Sequence, residues 1–478
     1  MTTPAERPVI LWLRRELRLH DNAALAAAVA TGRPVLPVFV LDRETAGAWV
    51  SGGASLWWLH GSLRALAADL HSKGATLILR SGRIAEVLAA LVAETGATEI
   101  HAGQPVEPWA RRLLDTLAGV TGVPLHLART ITLYEPGTIR TKTGGGYGVF
   151  TPFSKACLAR GQPAEPLPAP ERIDGALAGS ETLESWHLLP THPDWAAGLR
   201  ASWTPGEPAA LQRLEHFAQG SVGGYGDSRN MPAIDGTAML SPRLHWGEVS
   251  PAQAWHAAEH AAPHANGTAT WVNELLWREF SIDLLWHHPE LTEQPLRREF
   301  AAMPWLRDPL ALQAWQRGLT GLPIVDAGMR QLWHIGWMHN RVRMIAASFL
   351  VKHLLISWQD GAAWFWDTLV DADLASNSTQ WQWVAGCGAD ASPFFRIFNP
   401  VLQGRKFDAD GGYVRRWVPE LARLPDRHLH SPWEAPSEVL AQANVVLDKD
   451  YPRPVVELAQ GRARALAAFR TLRTAQTA

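Results

Sequence analysis

Between residues 9 and 127 the chain repeats one unit: a short run of buried-type residues followed by a longer stretch with helical apolar spacing. Residues 9–13, 35–41, 77–79, 99–102 and 124–127 read as buried strands, and 23–30, 56–73, 84–95 and 109–117 as the helices between them. Strand and helix alternation of this kind implies a parallel, doubly wound sheet with helices on its faces. Such a sheet carries no function by itself. Gly144, Gly145, Gly146 and Gly148 lie outside any strand-to-helix phosphate fingerprint and are expected to form a turn.

From Gly161 to about Pro208 the text GQPAEPLPAPERIDGALAG is rich in Pro, Gly and Ala without a period, and reads as an extended connector. After it the pattern is helical: 209–219, 251–262, 270–287, 309–318, 321–332, 338–357 and 362–369, with no convincing strand. A chain of 478 residues exceeds what one core usually supports. The expected class is therefore α/β plus all-α: a doubly wound domain over 1–135, a connector over 136–208 and a helical domain over 209–478.

Composition excludes several classes. With 47% apolar and 19% charged residues the chain is globular, and a net charge of -2 gives no global nucleic-acid signature, so any polyanion must meet a local patch. Two cysteines, Cys157 and Cys387, exclude a disulfide framework and an all-cysteine iron–sulfur cluster. No metal site is expected. No apolar run is long enough to span a bilayer, and MTTPAERPVI lacks a basic region followed by an apolar one. The expectation is a cytoplasmic monomer.

Chemistry concentrates in residues 333–404. Seven tryptophans (Trp333, Trp337, Trp358, Trp364, Trp366, Trp381 and Trp383) surround an acidic and amide-rich loop running from Asp371 through Asp373 to Asn377. Any one Trp is core filler by default. Arg, Asp and Asn fixed among seven of them suggest a dry pocket for a flat, polar-edged ring. Helical spacing puts Glu274 and Arg278 at i and i+4 with Trp277 beside them, so one face shows acid, ring and base, or else an ion pair over a core Trp. Asn340 and Met344 share a second face, and Arg341 and Arg343 diverge by about 160° at 3.6 residues per turn. An inward Arg would need an anion, for which Asp371 and Asp373 are the candidates. Thr237 and Ser241 bracket a turn suited to a diphosphate, or simply to a helix start.

Taken in order, these motifs resemble the photolyase and cryptochrome flavoproteins, and more closely their bacterial cyclobutane-pyrimidine-dimer photolyases of class I or III. The likeness covers nearly the whole chain. It runs from Leu13-Arg14-Arg15-Glu16-Leu17-Arg18 through Phe150–Phe153, Asp235-Gly236-Thr237, Leu240-Ser241-Pro242, Trp277–Phe280 and 336–344 to Phe395–Pro400. Glu16 stands where the family usually has Asp, and Ala238 and Met239 replace the Ser and basic residue often found after the Thr.

The resemblance implies a U-shaped FAD in the helical domain, reduced to its anionic hydroquinone and excited by blue or near-ultraviolet light. The excited flavin would pass an electron to a pyrimidine dimer flipped out of DNA, as a deoxyribodipyrimidine photo-lyase does. Tyr225, Thr237 and Ser241 would hold the phosphates and sugar. Arg343 would pair with Asp371 beside the ring, Asp373 would bond its pyrimidine edge, and Asn377 would sit by N5, with Arg278 also on the cofactor side. Glu274, Trp277, Asn340, Arg341, Met344 and Trp383 would line the lesion pocket, and Arg229, Arg341, Arg396 and Lys406 would bind DNA phosphates. Relatives that repair (6-4) lesions place histidines where this chain has Asn340 and Met344. Trp381, Trp358 and Trp305 match the family's electron relay.

Two further implications stay open. The first domain of many relatives holds a light-harvesting antenna. Here Glu107-Pro108-Trp109 is nearer the deazaflavin binders than the methenyltetrahydrofolate binders, without deciding between those chromophores or none. The alternative function is a cryptochrome-like blue-light photosensor. The ordinary Ala/Arg-rich helix expected over the last residues, within the 61 that follow Trp417, where cryptochromes commonly carry an extension, and Asn377 together with the lesion-pocket set favour repair.

Overall fold

A computed structural model of the chain describes residues 7–391 and 393–474. MTTPAE, six of the ten residues on which the expectation of no leader rests, lies outside the described residues. Five parallel strands, β1 (Val9–Leu13), β2 (Val35–Leu41), β3 (Ile78–Ser81), β4 (Ile100–Gly103) and β5 (Leu125–Ala128), stand in the order β3-β2-β1-β4-β5. They are linked by α1 (Ala23–Ala30), α2 (Gly53–Ser72), α3 (Ile84–Thr95) and α4 (Pro108–Thr121). Every residue of β1 and β2 is buried, because helices cover both faces of a parallel sheet. Trp12, Val38 and Ile100 from the strands meet Leu88 and Leu91 of α3 and Leu117 of α4 in one core.

The last three strands each start one residue later than their apolar runs. In β3 the polar Arg80 and Ser81 belong to the ladder because their backbones pair with Val40 and Leu41, whatever their side chains prefer. Gly144 and Gly145 do form a turn, with Gly144 N–H donating to Thr141 O and Thr141 N–H to Gly145 O, both at 2.9 Å.

The stretch after Gly161 is not a free spacer. Val35 N–H donates to Asp174 O at 2.7 Å, Ala176 N–H to Val35 O at 2.8 Å and Glu181 N–H to Leu79 O at 2.9 Å. The first two bonds pair the start of β2, and the third covers a carbonyl that edge strand β3 would otherwise leave unpaired, such edges being normally covered. It also contains the short helix Ala197–Ser202.

The chain forms two compact units that do not follow breaks at 135 and 208. One comprises 1–223, 238–289 and 370–375, and the other 224–237, 290–369 and 376–478. In the first, helix Asn266–His287 lies against Phe150–Leu158, and Pro251–Ala261 starts on a capping box between Ser250 and Gln253. In the second, Pro323–Ile335 is surrounded by Asn340–Ser348, Pro400–Phe407 and Gly412–Trp417.

Two helix expectations need correction. The single helix over 338–357 is instead Asn340–Ser348 followed by a π-helical turn, Phe349–His353, and the backbone then leaves the helix with Leu355 at φ 57°. Leu306 N–H donating to Leu355 O at 2.8 Å replaces the helical bond there, and an apolar run gives no local warning of that. The acidic and amide-rich loop ends at Asp373. Leu374–Ala385 is helix, so Asn377 lies inside a helix whose start is preceded by two acids, as the helix dipole favours.

Both cysteines are buried and free, with burial pushing each thiol up to about 12. Among the described residues no helix is long and apolar enough to cross a membrane.

Candidate active site

In a doubly wound sheet, ligands favour the crevice beyond the strand ends where the order reverses, here between β1 and β4. That crevice is filled by charge. Arg15, just past β1, donates to Glu107, past β4, at 2.5 Å and to Asp373 at 2.6 Å, while its Nε donates to His245 O at 2.9 Å. Arg14 takes the other Glu107 oxygen at 2.9 Å. Gly103 is required beside them, because a Cβ there would collide with the Glu16 carboxylate.

Burial alone would raise the Asp373 carboxyl, but Arg15, His245 and Arg278 hold it well below the usual carboxylate range. Burial likewise opposes ionisation of Glu107, and Arg15 and Arg14 bring it down to about 2. Burial and the Arg15 charge keep His245 neutral. The Glu107-Pro108-Trp109 run is tied into the fold: Glu107 pairs with two arginines, Pro108 opens α4, and Arg14 lies 5.8 Å from the Trp109 ring.

On Asn266–His287 the expected face of acid, ring and base breaks up. Arg278 donates to Ile131 O at 2.7 Å and lies 3.3 Å from Glu279, so Glu274 is not its partner. The neighbouring Glu279 and a backbone carbonyl at packing distance outcompete an i, i+4 pair worth only a few tenths of a kcal/mol. Arg278 still bears on Asp373 through its charge. Trp277 stacks one face on Phe150, with centroids 3.8 Å apart and planes 6° apart, and stays part-exposed beside the part-exposed Glu274.

In the second unit, Asn340–Ser348 presents exposed Asn340 and part-exposed Met344 one turn apart. Arg341 donates to Asn230 Oδ1 at 2.6 Å, and its guanidinium lies 4.5 Å from the Phe407 ring, with Lys406 Nζ 5.2 Å from the same ring. Arg343 turns elsewhere, its Nε donating to Met338 O at 2.7 Å. Burial and the charges of Arg341, Arg343 and Arg229 push His339 down to about 4, which makes this a concentrated patch of positive charge around a neutral imidazole. Arg229 also lies 5.6 Å from the buried Tyr225 ring. Arg396 is exposed, as is Phe395 beside it.

Asn377 is 9% exposed, and its Nδ2 donates to Ala362 O at 3.1 Å, which fixes the amide. Trp381 is buried against Phe365 and Trp315, with centroids at 5.0 and 6.2 Å, and Gly361 leaves room for its ring. Trp358 is 2% exposed, whereas Trp305 and Trp383 are part-exposed. Thr237 is part-exposed and Ser241 exposed at the start of Ser241–His245, with no side-chain cap on that helix.

Sequence reasoning missed Arg15, Glu107 and His245 as site residues and Trp315 as a neighbour of Trp381. The first two lie in motifs that carry other readings. His245 and Trp315 carry no local signal.

The donor set fits a flavin. In the first unit Asp373 is held as a carboxylate, a type that can accept from a ring N–H, and in the second the Asn377 amide is fixed by Ala362 O and the Arg343 guanidinium by Met338 O, the neutral donor and the cation that a reduced flavin requires.

Family comparison agrees. Residues 9–171 match the DNA photolyase model and 271–471 the FAD binding domain of DNA photolyase. A deoxyribodipyrimidine photo-lyase of Agrobacterium fabrum is 48% identical over 97% of each chain. Cryptochrome-1 of Arabidopsis thaliana is 37% identical over 95% of this chain and 69% of its own. A bacterial class III photolyase structure from Agrobacterium tumefaciens superposes with TM-score 0.95 at 47% identity, covering 99% of both chains. The chain therefore belongs to the DNA photolyase family and is an enzyme of photolyase-type DNA repair with FAD as its cofactor.

Proposed function

We propose that the enzyme repairs cyclobutane pyrimidine dimers. The observation that carries this reading is the accessible amide and thioether face of Asn340 and Met344, flanked by Arg341 and Lys406 on Phe407. That face suits a flipped, largely apolar dimer with phosphates alongside. Bound, reduced FAD would supply a light-excited electron that opens the cyclobutane ring and returns to the flavin once the ring has split.

The chain's own groups do the rest. Tyr225, Thr237 and Ser241 bind the cofactor's phosphates and sugar, and Asp373 orients its pyrimidine edge. Arg343 would balance its negative charge, Asp371 would be the counter-acid expected for that arginine, and Asn377 would meet N5. Trp277 stacks a flipped base on the face that Phe150 leaves uncovered. Glu274 bonds a pyrimidine edge and steadies charge that appears on the dimer, Trp383 closes the pocket, and Arg229 and Arg396 extend the phosphate contacts. Trp381, Trp358 and Trp305 reload the flavin from the surface. The enzyme acts as a cytoplasmic monomer, and its first domain holds a deazaflavin, a folate or no antenna.

Illuminating the reduced protein with dimer-containing oligothymidylate should restore thymine absorbance. Light-driven flavin reduction without that recovery would instead establish a photosensor.

A further inference from the structure

Helix Pro251–Ala261 carries His256 and His260 at i and i+4, so the two rings share a face, with centroids 5.8 Å apart. His256 is 6% exposed. Its Nε2 lies 2.9 Å from Pro163 O and 3.2 Å from Ala164 O. Both are carbonyl oxygens, so Nε2 carries the proton and donates it. Nδ1 is then left with a lone pair, and it faces Glu165 Oε1 at 3.4 Å. A carboxylate oxygen only accepts, so two acceptors point at one another, and a cation belongs between them.

That cation is either a second proton on His256 or a metal ion. A proton would serve the His256–Glu165 pair and give His260 no part. Yet one ligand atom from each of Glu165, His256 and His260 falls within 4.8 Å of the others. The spacing also fits a metal. N and O ligands at about 2.0–2.2 Å from a tetrahedral zinc stand roughly 3.4 Å apart, the separation that His256 and Glu165 already have. The Nε2–H bond to the Pro163 carbonyl is the kind of outer-shell contact that sets the tautomer and aim of a metal-bound imidazole.

We propose that Glu165, His256 and His260 bind one divalent transition ion of the zinc class, with water completing the coordination. Two imidazoles and one carboxylate suit Zn2+, and also Ni2+ or Cu2+. The ion clips the connector, through the exposed Glu165, onto Pro251–Ala261. It takes no part in the photochemistry. The neighbouring possibility, Glu99, His101 and His126 on β4 and β5, lacks this mismatch. There each imidazole Nε2 already meets its own Glu99 oxygen, at 3.3 and 3.0 Å, and donates to it.

The test is zinc titration of the chelator-treated flavoprotein by calorimetry, with thermal unfolding followed in parallel. One saturable site is expected, with zinc raising the melting midpoint. His260→Gln changes an exposed side chain and spares the fold. It and Glu165→Gln should each weaken binding by about tenfold or more and abolish the thermal gain, while His101→Gln leaves both unchanged. Unaltered affinity in His260→Gln, loss of the site in His101→Gln, or no saturable binding below millimolar zinc would overturn the proposal.

Discussion

Arg15 joins three acceptors that come from distant parts of the chain, and its removal strands two buried carboxylates. Arg15→Met should therefore destabilise the protein by about 3–5 kcal/mol, the usual cost of breaking a buried pair from one side, read from urea unfolding. Glu107 is depressed from 4.5 to about 2 and Asp373 also lies well below its ordinary value. Groups depressed in the folded state stabilise it above their unfolded pKa and lose that contribution as pH falls through the folded value. The gap between wild type and Arg15→Met should thus close as pH drops from 4.5 towards 2. Equal gaps at both ends would contradict the assignment. Trp277 and Glu274 should separate binding from yield. With Phe150 on one face, Trp277 would have one face left for a base, a stack worth about 1–3 kcal/mol. Trp277→Ala should weaken affinity for dimer-containing DNA by roughly 5- to 150-fold. Glu274→Ala should instead lower repair per photon with a smaller change in affinity, because the charge it steadies appears only after electron transfer. Dissociation constants and quantum yields measured at one salt concentration would decide both.

At the level of elements, the π-turn Phe349–His353 buries Lys352, whose ammonium donates to Phe394 O at 3.0 Å and Arg396 O at 3.3 Å. The lysine thereby holds the backbone that presents Phe395 and Arg396. Burial lowers it from 10.5 to about 7. Between those values the unfolded chain binds a proton that the native one has released, so stability rises with pH across the window. In Lys352→Met that rise should vanish from melting curves taken between pH 7 and 10. A retained rise would place its origin elsewhere. The helix Leu374–Ala385 carries Asn377 at one end and Trp381 one turn later, and Gln382 ties it down by donating to Leu291 O and Gln294 O, both at 2.9 Å. Trp381→Phe should greatly slow light-driven reduction of oxidised FAD, yet leave repair by chemically reduced enzyme intact. A parallel loss of both activities would make Trp381 a pocket residue.

For the whole molecule, a net charge of -2 hides a local concentration of cations. Arg229, Arg341 and Arg343 surround a neutral His339, and Lys406 shares the Phe407 ring with Arg341. Taking away one cation that neutralises a phosphate should reduce the slope of log affinity against log salt by about 0.9 for duplex DNA. Arg341→Ala and Lys406→Ala should each do so, with affinity falling alike for damaged and undamaged DNA. Slopes equal to wild type would remove these residues from the DNA-binding surface.

Local periodicity was enough to place β1, β2, α1 and α3 to the residue, because buried strands and amphipathic helices leave their period in any short window. It was also enough to expect the two arginines of Asn340–Ser348 to diverge, since helix geometry alone sets that angle. Motif order pointed to the flavin and DNA chemistry. Only the tertiary structure decided that Arg15 pairs with Asp373 across 358 positions, that Arg278 turns to Ile131 and Glu279 rather than to Glu274, and that the Pro-rich connector lies bonded to the sheet. A side chain's spacing reports whether it is buried, while its partner depends on where the rest of the chain returns. Buried charge makes that choice costly to get wrong, which is why these pairings join segments far apart in sequence.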